Sequence, residues 1–133
     1  MVPLFAGFDV AQERGRIFSY DVTGGRYEEH EFHAVGSGSS FARGSLKKLF
    51  HQDADTDAAI RAALEALYDA ADDDSATSGP DLARRIFPMV TVVTASGVEH
   101  ISEDRLAQDV ERMMAARLGR PDGPRASVTG DPS

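Results

Sequence analysis

Two short segments of the sequence combine hydroxyl side chains with a carboxylate, the residue types that assist a nucleophile. Ser37 and Ser39 lie where a predicted strand ends and a helix begins, and Asp74 and Thr77 follow the end of a longer predicted helix. A carboxylate is unfavourable at a helix C-terminus, which is already negative, so Asp74 indicates a use beyond the helix. Such groups can orient a nucleophile, yet the same residues are favoured in turns and caps. The residues alone leave the catalytic and the structural interpretation open.

Two other patterns resemble metal sites and fail in detail. The acidic residues within 53–57 have the spacing of the first ligands of an EF-hand loop, but Ala58 and Leu64 stand where that loop needs glycine and glutamate. His30 and His33 are three residues apart, whereas the zinc motif HExxH places two histidines four apart on a helix. We therefore expect no metal ion, and we interpret the acidic residues as helix caps.

The composition excludes further classes of function. The chain has 133 residues, of which 41% are apolar and 27% charged, as in a soluble protein with one domain. It contains no cysteine, and its net charge of −8 opposes binding to nucleic acid. No stretch is long enough to span a membrane, and the glycine-rich residues 36–38 lack the third glycine of a dinucleotide loop, where Phe41 stands. We predict a cytoplasmic protein without a cofactor, a nucleic-acid partner or a membrane segment.

The predicted strands come in antiparallel pairs. Residues 2–10 form an apolar run typical of a strand buried on both faces, and residues 17–22 alternate between apolar and polar positions. Thr23–Gly25 predicts a tight turn, because glycine readily adopts positive φ angles. Residues 27–35 follow as a third strand, and residues 89–101 predict a closing hairpin.

Three predicted helices complete the pattern. The first has Ser39 or Ser40 as its N-cap, the second begins at Asp55 or Thr56, and the third begins after Ser102. The residues of the third helix predicted to face the core are Leu106, Val110, Met113 and Leu118. The resulting order, β-β-β-α-α-β-β-α, predicts an α+β fold rather than a parallel α/β fold.

Three blocks of the sequence carry a resemblance to a known family. Val2–Asp9, Gly36–Ser39 and Ala66–Thr77 resemble, in order and spacing, the corresponding blocks of the actinobacterial proteasome β subunit, as do the closing hairpin and helix. The resemblance implies that residues 1–118 are the second half of a β-type domain. Residues 119–133, rich in Pro, Gly, Ser and Asp, are predicted to form a disordered tail.

The resemblance implies a fold and an activity. Members of this family are N-terminal-nucleophile hydrolases with a four-layer α/β/β/α sandwich, and the implied enzyme is a threonine endopeptidase. Its nucleophile is an N-terminal threonine whose hydroxyl is activated by its own amino group. The implied partners are α-type and β-type subunits in stacked rings, and the implied substrates are unfolded proteins.

The resemblance also assigns supporting roles to particular residues. The family's supporting serine corresponds to Ser37, its later aspartate to Asp74, and the hydroxyl that follows to Thr77. In the family these groups hold the amino end of the nucleophile and a nearby water. Ser78 stands where the family has glycine, and if that position needs a positive φ angle the serine adds strain of about 1 kcal/mol or more.

The family's nucleophilic threonine, with its aspartate and lysine, has no counterpart here, because every threonine of this chain is internal. We therefore expect no proteolysis from this chain alone. One hypothesis is that the chain is part of a longer, catalytic β subunit. A second is a non-catalytic remnant or complementing fragment that acts only through subunit contacts. A third is an unrelated acidic α+β binding module whose match is accidental.

Half of such a sandwich leaves sheet edges and helix faces uncovered. Exposed strand edges pair with other chains or aggregate. We therefore expect the isolated chain to be poorly soluble or oligomeric, and a cooperative melt from a monomer at micromolar concentration would contradict this expectation.

Overall fold

Helices and small antiparallel sheets follow one another in the computed structural model, which describes residues 2–73 and 87–125. The strands β1, β2 and β3 form one sheet in that order, and β4 pairs with β5 in a separate hairpin. This mixture confirms the predicted α+β class. The elements are β1 (Leu4–Asp9), β2 (Arg14–Tyr20), β3 (Arg26–Glu29), α1 (Ser39–Leu49), α2 (Thr56–Asp73), β4 (Thr91–Thr94), β5 (Gly97–His100) and α3 (Glu103–Gly119).

Strand β1 lies at the edge of the three-stranded sheet, with β2 as its antiparallel neighbour from Leu4 opposite Ser19 to Asp9 opposite Arg14. The apolar run predicted a strand buried on both faces, and within the described residues that prediction is wrong. The side chain of Phe5 is 63% exposed, and Leu4 is exposed as well. Apolar sequence at an uncovered edge marks a surface that another chain segment can cover.

Strand β3 is shorter than predicted, since it ends at Glu29 rather than continuing to residue 35. Beyond it, the chain leaves the sheet and the ring of Phe32 packs against Phe50 at the end of α1, with the ring centroids 5.6 Å apart. The guanidinium of Arg43 also donates a hydrogen bond to the carbonyl of Ala34 at 2.9 Å. Contacts with α1 therefore replace the strand pairing that the sequence pattern predicted.

The turn between β2 and β3 is organised by Asp21, and Gly24 has a φ angle of 92°, as the sequence predicted for a tight turn. One carboxylate oxygen of Asp21 accepts hydrogen bonds from the Thr23 hydroxyl at 2.8 Å and the Gly25 amide at 2.7 Å. The Tyr27 hydroxyl donates to the other oxygen at 2.8 Å. These bonds, with the Thr23 hydroxyl first among them, lower the pKa of Asp21 to about 2.

This carboxylate should make the turn sensitive to acid. Because its pKa in the folded chain lies below the ordinary value of 3.8, its contribution to stability is complete above that value and is lost as the pH falls towards 2. We expect the free energy of unfolding of the wild type to fall more steeply between about pH 5 and pH 2 than that of Asp21→Asn. Urea unfolding across this pH range measures the two slopes. Equal slopes for Asp21→Asn and the wild type would refute the assignment.

Helix α1 begins without a side-chain cap, so the predicted N-cap at Ser39 or Ser40 is wrong. Gly38 occupies the N-cap position, and no side chain there accepts a hydrogen bond. Instead, Gly36 adopts a φ angle of 107° and its carbonyl accepts a hydrogen bond from the Ser39 amide at 3.2 Å. A backbone turn thus satisfies the helix start that the sequence assigned to a serine hydroxyl.

Helices α2 and α3 both begin at side-chain caps, as predicted. The Asp55 carboxylate accepts a hydrogen bond from the Ala58 amide at 2.8 Å, and the Ser102 hydroxyl accepts one from the Arg105 amide at 3.3 Å. The residues buried between these helices, together with the end of β5, are Ile60, Leu64, Ile101, Leu106, Val110 and Met113. Among the helices of the described residues, none is long and apolar enough to cross a membrane.

The C-terminal end of α3 corrects the predicted core, because Leu118 is 88% exposed and the neighbouring Arg117 is only 7% exposed. The guanidinium of Arg117 binds the carboxylate of Glu65 and, at 2.9 Å, that of Asp69. Its carbon lies 4.2 Å from the centre of the Tyr68 ring. We call Arg117, Glu65 and Asp69 the Arg117 triad. Burial works to lower the pKa of Arg117, but the hydrogen bonds to the two carboxylates outweigh burial and raise it.

A turn after α3 closes over the Arg117 triad. The carbonyl of Pro121 accepts a hydrogen bond from the Arg117 guanidinium at 3.3 Å, and Gly123 is buried with a φ angle of 81°. A Cβ atom at Gly123 would lie 2.7 Å from the nearest Arg117 nitrogen. This turn belongs to the segment predicted as a tail, residues 119–133. Residues 126–133 lie outside the described residues, so the predicted disorder of the tail stays a prediction.

Candidate functional site

The loop between β3 and α1 carries Ser37, the first of the predicted supporting residues. Gly36 turns the chain with its positive φ angle, and Ser37 and Gly38 complete a tight turn before α1. The Arg43 side chain of α1 reaches back and holds the carbonyl of Ala34. Backbone geometry and one arginine therefore fix the loop, and they leave the Ser37 side chain exposed.

Ser37 opens onto a groove of about 500 Å³ between this loop and the helices α1 and α2, which we call the Ser37 groove. Its helical walls are apolar, because small side chains let α1 and α2 pack closely, with Ala42, Ala66 and Ala70 buried between them. The residues that line it are His33, Ala34, Val35, Gly36, Ser37, Gly38, Ser39, Ala42, Leu46, Ala63, Ala66, Leu67 and Ala70. The groove thus presents two hydroxyl groups at the rim of an apolar depression.

The other two predicted supporting residues, Asp74 and Thr77, lie outside the described residues, as does Ser78. Helix α2 is described to Asp73, and its residue Ala70 shares the groove with Ser37. Two segments that are distant in the sequence, residues 36–39 and the C-terminal half of α2, therefore meet at one groove. The roles of Asp74 and Thr77 stay predictions.

His33 lies in the same groove, although the sequence pattern assigned it no function. The sequence pattern predicts one strand over residues 27–35, whereas His30 and His33 both follow the end of β3. The Nδ1 atom of His33 lies 3.7 Å from a carboxylate oxygen of Glu29. Within residues 2–73 and 87–125, no hydrogen bond joins His33 to Ser37, so this part of the chain shows no serine–histidine nucleophile pair.

The hydroxyl groups of the Ser37 groove can position a reacting group. An exposed hydroxyl such as that of Ser37 can accept a hydrogen bond from an amino group and can hold a water. In the described part of the chain, no cluster of three or more metal-ligating side chains occurs. The groove is therefore suited to orient a reacting group supplied by other residues.

A network of ion pairs on the three-stranded sheet has no counterpart in the sequence motifs. The Arg16 guanidinium binds both carboxylate oxygens of Glu28, at 3.0 and 2.9 Å, and one oxygen of Asp9 at 3.2 Å. The bonds from Arg16 are the first cause that lowers the pKa of Glu28 to about 2. These residues come from three strands, so only the strand register, which the sequence does not state, brings them together.

Comparisons with known proteins agree on one family. The family model described as "Proteasome subunit" matches residues 1–82 of the chain. The proteasome subunit beta of Acidothermus cellulolyticus is 62% identical over 128 residues, which is 93% of this chain and 44% of that protein. The proteasome subunit beta of Streptomyces griseus is 55% identical over 96% of this chain and 46% of its own length. The proteasome subunit beta 1 of Streptomyces avermitilis is 56% identical with the same two coverages. The chain thus spans less than half the length of these curated relatives.

Proposed function

Because this chain belongs to the proteasome subunit family, we propose that it forms the second half of a β-type subunit whose complete form is a threonine endopeptidase. The observation that carries the proposal is the combination of high identity and partial coverage: 62% identity over 93% of the chain, set against 44% of the relative's length. The nucleophilic threonine then comes from polypeptide outside these 133 residues. This chain supplies the groove that receives it.

The Ser37 groove supports this assignment. In the proposed subunit the Ser37 hydroxyl accepts a hydrogen bond from the amino end of the nucleophile and holds the water that relays protons. Asp74 and Thr77 follow α2, whose residue Ala70 lines the same groove, so both are available to complete the network. Their carboxylate and hydroxyl stabilise the protonated amino group, which lets the threonine hydroxyl act as the nucleophile.

The uncovered edge of β1 supports the proposed pairing with the rest of the subunit. Strand β1 has an unpaired side in the described sheet, and its Phe5 is 63% exposed. A strand from the other half of the fold covers such an edge without leaving backbone groups unpaired. Further partners in the proposal are α-type and β-type subunits in stacked rings in the cytoplasm, and the substrates are unfolded proteins.

The length of the native protein tests the proposal directly. We expect the intact mass of the protein from its native source to exceed that of 133 residues, and its first residue to be threonine. Mass spectrometry and N-terminal sequencing measure both quantities. A protein that begins at Met1 with no heavier form and no companion chain would instead favour a non-catalytic role in subunit contacts.

Removal of the Ser37 hydroxyl tests the candidate site. In the assembled protein from its native source, we expect Ser37→Ala to lower kcat for peptide hydrolysis by about 10²-fold, because the nucleophile loses its oriented amino group and water. Ser40→Ala is the matched control, since Ser40 is exposed in the first turn of α1 and does not line the groove. An unchanged kcat in Ser37→Ala would remove Ser37 from the site while leaving the family assignment intact.

A further inference from the structure

A second groove, which shares no lining residue with the Ser37 groove, lies between the beginning of α2 and the first half of α3. Its volume is about 400 Å³. Every residue that lines it is charged or carries an amide: Asp57, Arg61, Arg105, Gln108, Asp109 and Arg112. We call this the arginine groove. It differs from the Ser37 groove, whose walls are mainly apolar.

Ion pairs inside the arginine groove hold part of its charge in place. The Arg105 guanidinium binds the carboxylate of Asp57 across the two helices and lies 4.0 Å from that of Asp109. Arg112 lies 3.5 Å from the other oxygen of Asp109, whose side chain is only 13% exposed. Both carboxylates are therefore engaged by Arg105 and Arg112, and neither pairs with Arg61.

The side chains that line the arginine groove have a net charge of one positive. It contains three guanidinium groups and two carboxylates, in a chain whose net charge is −8. Across residues 2–73 and 87–125, Arg61 forms no ion pair or hydrogen bond, and the Arg112 side chain is 70% exposed. Two guanidinium groups thus face the groove with donors to spare, beside the amide of Gln108.

We propose that the arginine groove binds a single carboxylate group through Arg61 and Arg112. A guanidinium presents parallel N–H donors whose spacing matches the two oxygens of a carboxylate. One bound carboxylate equalises the charges of the cluster at three positive and three negative. Because the cluster has only one excess positive charge, a ligand with several negative charges would leave it with excess negative charge, which favours a single carboxylate over a polyphosphate. The carboxylate comes either from a small organic acid or from an acidic side chain of a partner protein.

The binding test uses acetate and a blocked glutamate peptide as probes on the full chain. NMR titrations monitor the arginine Nε–H signals at constant ionic strength, with chloride as the reference anion. We expect acetate to shift the signals of Arg61 and Arg112 in a saturable way. If the glutamate peptide binds more tightly than acetate, the source is a partner protein. If acetate binds more tightly than the glutamate peptide, the source is a small organic acid.

Two arginine variants and one control decide whether the groove is the site. Arg61→Ala and Arg112→Ala should each raise the Kd for acetate at least about tenfold, because a charge-assisted hydrogen bond is lost. Arg26→Ala, an exposed arginine on β3, should leave the Kd unchanged. The proposal is overturned if chloride produces the same shifts, if Arg61→Ala binds acetate like the wild type, or if phosphate binds and acetate does not. None of these outcomes depends on proteolytic activity.

Discussion

Replacing Arg117 with alanine is expected to lower the free energy of unfolding by about 3–5 kcal/mol. The substitution leaves the carboxylates of Glu65 and Asp69 without their cation, at a site where the Glu65 residue is 7% exposed. An uncompensated buried charge loses its hydration without gaining a partner, which makes removal of one member of such a group costly. Urea unfolding at a fixed protein concentration measures the effect.

The control for this prediction is another arginine of the same helix. Arg112→Ala removes a side chain that is 70% exposed, and Asp109 keeps the Arg105 guanidinium 4.0 Å away as a second partner. We expect a change within about 0.5 kcal/mol. A triple variant with Arg117→Met, Glu65→Leu and Asp69→Leu should regain most of the stability, because no buried charge remains. If Arg117→Ala is as stable as Arg112→Ala, the Arg117 triad does not stabilise the fold.

The second large effect is expected at Leu64, which is 1% exposed in the core between α2 and α3. Leu64→Ala should lower the free energy of unfolding by about 2–5 kcal/mol, because it removes buried methyl groups and leaves a cavity. Leu118→Ala makes the same chemical change at a position that is 88% exposed, and it should change stability by about 0.5 kcal/mol or less. Urea unfolding of both variants gives the comparison.

The comparison of Leu64→Ala with Leu118→Ala also tests which residues of α3 face the core. A loss in Leu118→Ala as large as that in Leu64→Ala would mean that Leu118 faces the core, as the sequence pattern predicted. The expected difference between the two variants would instead support the exposed position of Leu118 in the structure. Both substitutions keep a good helix former at each site, so helix propensity does not explain a difference.

Features that depend on near neighbours in sequence could be predicted. The caps at Asp55 and Ser102 each need only an acceptor and an amide three residues later. The turn at Gly24 needs only a residue that tolerates positive φ. The blocks around Ser37 and the end of α2 indicated the family, because their order and spacing are encoded directly in the sequence.

Features that depend on distant partners could not be predicted. Val110, Met113 and Arg117 lie on one face of α3, but apolar patterning assigned the last position to Leu118 because arginine counts as polar. Only the fold brings Glu65 and Asp69 to Arg117, and these partners make its burial favourable. The arginine groove likewise combines charges from two helices. The apolar run of β1 indicated burial, but the sequence of this chain does not state what covers it.

The turn over Arg117 restricts which residues can occupy position 123. Surface turns normally accept many residues. At Gly123, however, the positive φ angle disfavours every side chain, and the arginine that a Cβ would meet is held by two carboxylates and cannot step aside. A library randomised at this codon and screened for folded protein would therefore retain glycine and little else, which gives a polar surface loop the mutational intolerance of a core position.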